Sequence, residues 1–324
     1  MRSSFRWVGL YSGVALLFTI FAFLSVCDDD KWNLFRLLAA YRADIPFQFR
    51  ILFPAVANAL CMLLPFLTLE WSYYILTFLA CFFLLAVFRR YLGFFSDRVP
   101  IAVPILILFP LAWNQAVICS IFIPSDLVGL LFMTLGLCFI HQKNWRYFYW
   151  LFPLAVLNRE TAIYLTLAMI VTAKGRMGFR ALLMHTLAQL AVWGLLKYLL
   201  FISFDHLAGD MYVDTLSINL AYLLNVVTFK GNSPLWLTIF GLVWIPGITR
   251  WRNMPSFVRR LFLVLIPAFA ALLAAGEIWE TRIFTELVLI LATPTAILLL
   301  EQGGISHGAT GTGSPASSRL NDSA

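Results

Sequence analysis

Three groups of charged residues interrupt otherwise apolar sequence. Arg159 and Glu160 sit within 151–173, which reads LFPLAVLNRETAIYLTLAMIVTA. An ionisable residue at membrane depth is costly unless it faces a partner, water or a ligand, so the pair marks a candidate functional site. Adjacent on a helix, the two side chains would point about 100° apart, and each needs its own partner. Asp28, Asp29 and Asp30 form a second group. Three neighbouring carboxylates repel one another, which raises at least one pKa or recruits a cation. Such a group can supply a general base or ligands for a hard divalent ion, though a solvated helix end also has this composition. The third group is Glu277, Glu280 and Arg282 in the stretch GEIWETR. On a helix Glu277 and Glu280 would share a face, and Arg282 would lie four residues from Glu286, close enough to pair.

Other charged residues flank these groups. The stretch KWNLFRLLAAYRADIPFQFRILFP places Arg36, Arg42 and Arg50 among apolar residues at helical spacing. It reads as an amphipathic segment on the membrane surface, where arginines either bind a lipid phosphate or snorkel to the interface. Arg50 is the strongest of the three as a functional candidate. Asp126 follows Pro124 and Ser125, and with Ser125 as N-cap and Asp126 in the first turn it can be explained by helix-end chemistry alone. Lys197 reads as a snorkelling residue near a helix end.

The elements that carry these residues must be membrane helices. The chain has 324 residues, 61% hydrophobic and 12% charged, with a mean hydropathy of +0.86. That charge fraction is about half of what a soluble domain carries. Continuous apolar runs near 20 residues specify an all-α, polytopic bundle, and their lack of alternation argues against a β-barrel. The net charge of +7 resides in short clusters between apolar runs, which is not the extended basic and aromatic surface of a nucleic-acid binder. Cys27, Cys61, Cys81, Cys119 and Cys138 have no metal-binding or redox spacing and read as small buried hydrophobes.

Placing the basic clusters in the cytoplasm orients the helices. Residues 7–26 form an uncleaved first helix leaving a cytoplasmic N-terminus. Further spans fall at 71–88, 100–118, 125–141, 181–201, 235–249, 261–275 and 283–300. Residues 147–173 must go up and return as two short helices meeting at Asn158–Glu160. Arg50–Phe66 is interfacial or re-entrant, with Pro54 in its first turn. About ten helices result, including the short ones, in a transmembrane domain over 1–300. Extracytoplasmic loops are expected at 27–70, 202–234 and 276–282, and 301–324 is a disordered cytoplasmic tail. Of the 16 acids, only Asp97, Glu301 and Asp322 then fall on the cytoplasmic side, so the rest collect where the chemistry would be.

Four features together resemble the GT-C superfamily of membrane glycosyltransferases: the acidic opening of the first outer loop, its interfacial continuation to FRILFP, short helices meeting at LNRET, and the late outer loop GEIWETR. The resemblance implies transfer of a sugar from a polyprenyl-phosphate carrier to an acceptor on the extracytoplasmic face, with inversion. A first-loop acid (Asp28, Asp29 or Asp30) would be the base, in some members with a divalent metal. Arg50, Arg159 and Arg282 would be candidates for the carrier phosphate. Glu160, Glu277 and Glu280 would meet sugar hydroxyls or pair structurally, with Asp126 among the substrate-binding candidates. The chain is short for the class, which leaves open whether it works alone or with a partner subunit, and contact with membrane lipid is expected. The alternatives are a transporter or lipid flippase, or a non-catalytic subunit of a membrane complex. The expected location is a multi-pass position in a bacterial inner membrane, or in the endoplasmic reticulum of a eukaryote.

Overall fold

The computed structural model describes residues 2–24, 29–45, 47–118, 122–173, 177–207, 215–231, 233–278 and 280–302. Every regular element among them is helical, and six helices are long and apolar enough to cross a bilayer. Lipid offers no partners to backbone N–H and C=O groups, so apolar runs of this length close their hydrogen bonds within a helix. The protein is a multi-pass helical membrane bundle by this criterion.

The first span is α1 (Arg2–Leu24). The stretch read as one amphipathic segment is divided. It forms α2 (Asp29–Ala39), a turn in which Tyr41 has φ +57, a 3-10 turn at Phe47–Phe49, and α3 (Leu52–Leu63). Next comes α4 (Leu69–Leu92), the second span. Pro54 lies in the first turn of α3, as its fixed φ favours. Phe53 packs edge-on to Tyr73 of α4 at 5.0 Å, and Cys61 meets Ser72 at 3.1 Å. Eight residues of helix cover about 12 Å, yet both contacts fall on neighbouring residues of α4, so α3 crosses α4 steeply. The 12 residues of α3 are also too few for a bilayer core. Both facts fit an interfacial helix, and Met62, Leu63 and Phe66 at its far end are exposed.

Residues 100–118, read as one span, are instead broken into a 3-10 segment at Val103–Leu108, α5 (Phe109–Trp113) and a π-turn at Asn114–Ile118. Pro104 and Pro110 each remove a backbone donor and prevent a regular ladder. The third span is α6 (Pro124–Gln142). Then come α7 (Trp145–Asn158), a 3-10 turn at Glu160–Ala162 and α8 (Ile163–Ala173), the expected pair of short helices. Arg159 caps α7 in an extended conformation, φ −157 and ψ 145, so the break falls at the charged pair. The long span α9 (Phe179–Phe204) follows.

The stretch read as an outer loop at 202–234 contains α10 (Thr215–Val227). Thr215 and Asn219 tie α10 to the carbonyls of Ala274 and Leu273, at 2.6 and 2.8 Å. The expected helix at 235–249 is also broken, into a 3-10 segment that turns non-helical at Ile239–Gly241 and α11 (Ile245–Thr249). The last spans are α12 (Ser256–Ala275) and α13 (Val288–Gln302), the latter prolonged N-terminally by a 3-10 segment at Thr281–Leu287. The tail at 303–324 lies outside the described residues.

The two broken segments complete each other. Asn114 Oδ1 accepts the Phe240 backbone N–H at 2.8 Å, and Trp113 Nε1 donates to Thr238 Oγ1 at 3.2 Å. Irregular backbone at membrane depth persists where protein groups of this kind satisfy it. The bundle therefore has two distinct ends. Stacking of Phe94 on His141, and of His141 edge-on to Phe257, joins the C-termini of α4 and α6 to the N-terminus of α12. Arg89, Arg90, Lys143, Arg259 and Arg260 all belong to this basic end. At the opposite end Gln115 donates to the Ala22 carbonyl and Asn158 to that of Ser125. The charged residues singled out above gather there.

Candidate functional site

Arg50 enters from the turn before α3, Asp126 from the first turn of α6, Arg159 and Glu160 from the α7–α8 break, and Arg282 and Glu286 from the 3-10 segment before α13. Arg159 is the centre: its Nη1 lies 3.0 Å from Asp126 Oδ1 and 3.2 Å from Glu286 Oε1. Arg50 lies 3.7 Å from Asp126 and 3.6 Å from Glu160. Thr161 Oγ1 donates to Glu286 Oε1 at 2.6 Å. Arg50, Asp126, Arg159, Arg282 and Glu286 are all buried, while the Glu160 side chain stays 35% exposed. The unwound backbone at Arg159 is what allows residues 159 and 160 to serve different partners: one turns into the bundle and the other toward its rim.

Phe47 forms an apolar floor between two of the cations. Its ring centroid lies 5.5 Å from the Arg50 guanidinium and 5.2 Å from that of Arg282, within cation–π range. Burial and the nearby Arg159 push the Arg50 pKa down, and Arg282 adds to this, against the opposing pull of Glu160 and Asp126. A guanidinium stays charged regardless, so the shift registers chiefly the cost of burying that charge.

The charges are close without being well aligned. Nε and Nη1 of Arg50, Arg159 and Arg282 lack a hydrogen-bond partner, as do Asp126 Oδ1, Glu286 Oε2, Ser125 Oγ and Thr281 Oγ1. Buried polar atoms are normally paired, so such a concentration at one place points to water or a ligand. Asn114, Gln115, Asp126, Thr281 and Arg282 line an adjoining cleft of about 40 Å³. That volume accommodates a few waters, and the cleft must widen to admit anything larger.

Several expected pairings are replaced. Arg282 hydrogen-bonds to Glu280 Oε2, while Glu286 turns to Arg159 and Thr161. The reason is the 3-10 geometry of 281–287, in which residues four apart no longer stack. Ser125 is not the N-cap of α6. Ile123 holds that position with Pro124 at the first helical residue, leaving Ser125 Oγ unpaired. Glu277 stands apart, exposed in a non-helical loop, and does not share a helix face with Glu280. Burial and the neighbouring Glu280 carboxylate raise its pKa. Arg36 pairs with Glu70 at the surface and Arg42 is exposed. Asp28 lies outside the described residues. Asp29 and Asp30 open α2, which begins just beyond the end of α1 on the cluster side. Among the described residues no group of three or more His, Cys, Asp or Glu side chains is placed to hold a metal.

Lys197 belongs to the cluster rather than to the lipid interface. Its Nζ is 3.7 Å from Glu160 Oε2 and 5.1 Å from the Phe49 ring. A signal for this was present: His185, Gln189, Trp193 and Lys197 are spaced by four along α9. Gly129 was also missed. A Cβ there would come within 2.7 Å of Glu286 Oε1 and 3.2 Å of Arg159 Cδ, so the ion pair passes over a gap that only glycine leaves.

Comparison with protein-family models, curated proteins and solved structures returned no match.

Proposed function

We propose that this chain is an integral-membrane glycosyltransferase that moves a sugar from a polyprenyl-phosphate carrier to an acceptor on the extracytoplasmic face. The reading rests on one observation above the others: guanidinium groups of Arg50, Arg159 and Arg282 converge at the non-basic end of the bundle, and each keeps buried N–H donors unpaired. Arginine forks match phosphate oxygens bidentately, and such contacts are strongest where water is excluded. Arg282 and Arg50, both within cation–π range of the Phe47 ring, are the donors assigned to the carrier phosphate. Arg159, in ion-pair contact with Asp126 and Glu286, holds the frame. The partly exposed Glu160 carboxylate is assigned to sugar hydroxyls.

In the reaction an acceptor hydroxyl attacks the anomeric carbon, the bond from that carbon to the phosphate oxygen breaks, and polyprenyl phosphate departs. The hydroxyl proton passes to a carboxylate, assigned to one of Asp28, Asp29 and Asp30, and the arginines take up the charge on the leaving phosphate. That α2 starts at Asp29 on the cluster side supports this assignment.

The test is release of free polyprenyl phosphate from a panel of polyprenyl-phosphate sugars, with native membrane acceptors present. Wild type should release it. Combined Asn substitution at positions 28, 29 and 30 should lower the rate by about 10²–10⁴-fold, the usual contribution of a general base. Arg282→Gln should weaken use of the carrier while the protein remains folded. A well-folded wild type inactive across the panel would overturn the reading.

A further inference from the structure

A second polar cleft lies at the basic end, far from the cluster. It occupies about 380 Å³ between α1 and the C-terminus of α4, and is lined by Trp7, Arg89, Arg90, Gly93, Ser96 and Asp97. Its size falls within the range of small-ligand sites. The Arg89 guanidinium lies 5.9 Å from the centre of the Trp7 ring. Trp7 is itself fixed by stacking on Phe82 at 6.2 Å and by tilted contact with Tyr11 at 5.6 Å. Neither Arg89 nor Arg90 takes part in any ion pair among the described residues. An arginine that merely snorkels extends into water. Arg89 instead rests against a braced indole at the mouth of a cavity.

The geometry points to a binding site for the phosphate of an anionic phospholipid whose head group carries a hydroxyl, such as phosphatidylglycerol. Arg89 and Arg90 leave α4 about 100° apart and both line the cleft, and guanidiniums recognise a phosphodiester through charge-assisted hydrogen bonds. A basic pocket between membrane helices, with a tryptophan at the level of the head groups, is the setting in which such lipids are held. Asp97 on the rim refines the class. Its carboxylate oxygens accept hydrogen bonds from a head-group hydroxyl, which phosphatidylglycerol carries and phosphatidylcholine does not. The site therefore selects phosphatidylglycerol over phosphatidylcholine, by charge and by hydrogen bonding. This inference does not depend on the proposed glycosyltransferase activity.

Thermal unfolding of the full chain in neutral detergent tests it, with added phosphatidylglycerol, phosphatidylserine, phosphatidylcholine or inorganic phosphate. Phosphatidylglycerol should raise Tm by several degrees, and phosphatidylcholine and inorganic phosphate by much less; equal protection by phosphatidylserine would overturn the role given to the head-group hydroxyl. The gain should disappear in Arg89→Gln/Arg90→Gln and persist in Arg250→Gln/Arg252→Gln, a control that removes two cations elsewhere on the same end. Asp97→Asn should lessen the gain from phosphatidylglycerol. Equal protection by inorganic phosphate would assign the cleft to a soluble phosphate compound and overturn the lipid. Equal protection by phosphatidylcholine, or an equal loss in the control variant, would overturn the site. Should the double variant fail to fold, photoreactive phosphatidylglycerol applied to wild type decides: adducts on Trp7 or within 86–99 support the site, and adducts elsewhere overturn it.

Discussion

Without the Arg159 guanidinium, Asp126 and Glu286 would face each other as buried carboxylates with no cation between them. Breaking a buried ion pair from one side typically costs about 3–5 kcal/mol, so Arg159→Leu should sharply lower the unfolding midpoint in detergent. Arg159→Lys keeps the charge but has no fork to reach both acids, and should fall between. Gly129→Ala attacks the same contact without touching a charge. Its new methyl group would press on Glu286 Oε1, and overpacking of this kind costs about 1–3 kcal/mol. The measurement is again thermal unfolding, and a loss below that of Ala substitution at the open Gly13 position would refute the steric account. Glu277 allows a test by pH. Its pKa is raised in the folded protein, so the native state holds the proton more tightly than the unfolded chain. Its stabilising contribution is thus present at low pH and lost as pH rises through the folded pKa. Glu277→Gln should raise Tm slightly at neutral pH, and the difference should vanish below about pH 4, under the ordinary glutamate range. Arg159 and Glu160 were visible in the sequence because charge inside an apolar run is rare. Gly129 was not, because nothing local reveals which side chain lies across from a glycine.

Among the elements, α9 is attached unlike its neighbours. Most of its surface is turned outward, with Phe179, Met184 and Tyr198 among its exposed residues. Its inward face is a column of polar contacts. Tyr149 Oη lies 2.8 Å from His185 Nδ1, Thr166 Oγ1 donates to Gln189 Oε1 at 2.8 Å, Trp193 Nε1 donates to the Glu160 carbonyl at 3.0 Å, and Lys197 reaches the Glu160 carboxylate. Lipid tails are as apolar as leucine, so no hydrophobic force fixes one membrane helix on another. Polar contacts repeated every four residues, about 6 Å apart, supply the register instead. The column is not a proton path: an indole N–H and the thioether of Met169, which accepts from Gln189, cannot pass protons along. Gln189→Leu should therefore cost only about 0.6 kcal/mol, and at most about 1.7, the range for single hydrogen bonds between membrane helices. Adding Trp193→Phe should loosen the Lys197 end, seen as faster labelling of a cysteine at 197 than in the Lys197→Cys protein with the column intact. Helix type followed from the length of apolar runs. The breaks at 103–118 and 233–249 did not, since prolines are tolerated inside some membrane helices, as Pro153, Pro267 and Pro294 are here. What separates the cases is a distant partner, Asn114 accepting from Phe240.

For the molecule as a whole, charge asymmetry and site location are linked. The basic clusters were used to orient the helices, and the acids were not. The fold nevertheless gathers Arg50, Asp126, Arg159, Glu160, Lys197, Arg282 and Glu286 at the end opposite Arg89, Arg90, Lys143 and Arg259. Such segregation leaves the centre of the bundle largely apolar and concentrates the cost of buried charge at one end. The gathering of basic residues at one end was therefore legible from loops alone, whereas the meeting of distant residues needed the fold. The topology has a direct consequence for surface labelling. Asp44 and Asp205 lie at the cluster end and are exposed, while Asp97 and Arg252 are exposed at the basic end. In a background with Cys27, Cys61, Cys81, Cys119 and Cys138 replaced by Ser or Ala, single cysteines at 44 and 205 should react in intact cells with a membrane-impermeant maleimide. Cysteines at 97 and 252 should react only after permeabilisation. If 97 and 252 label from outside while 44 and 205 are protected, the bundle is inverted. The charged cluster would then face the cytoplasm, and a carrier presented on the extracytoplasmic leaflet could no longer be its substrate.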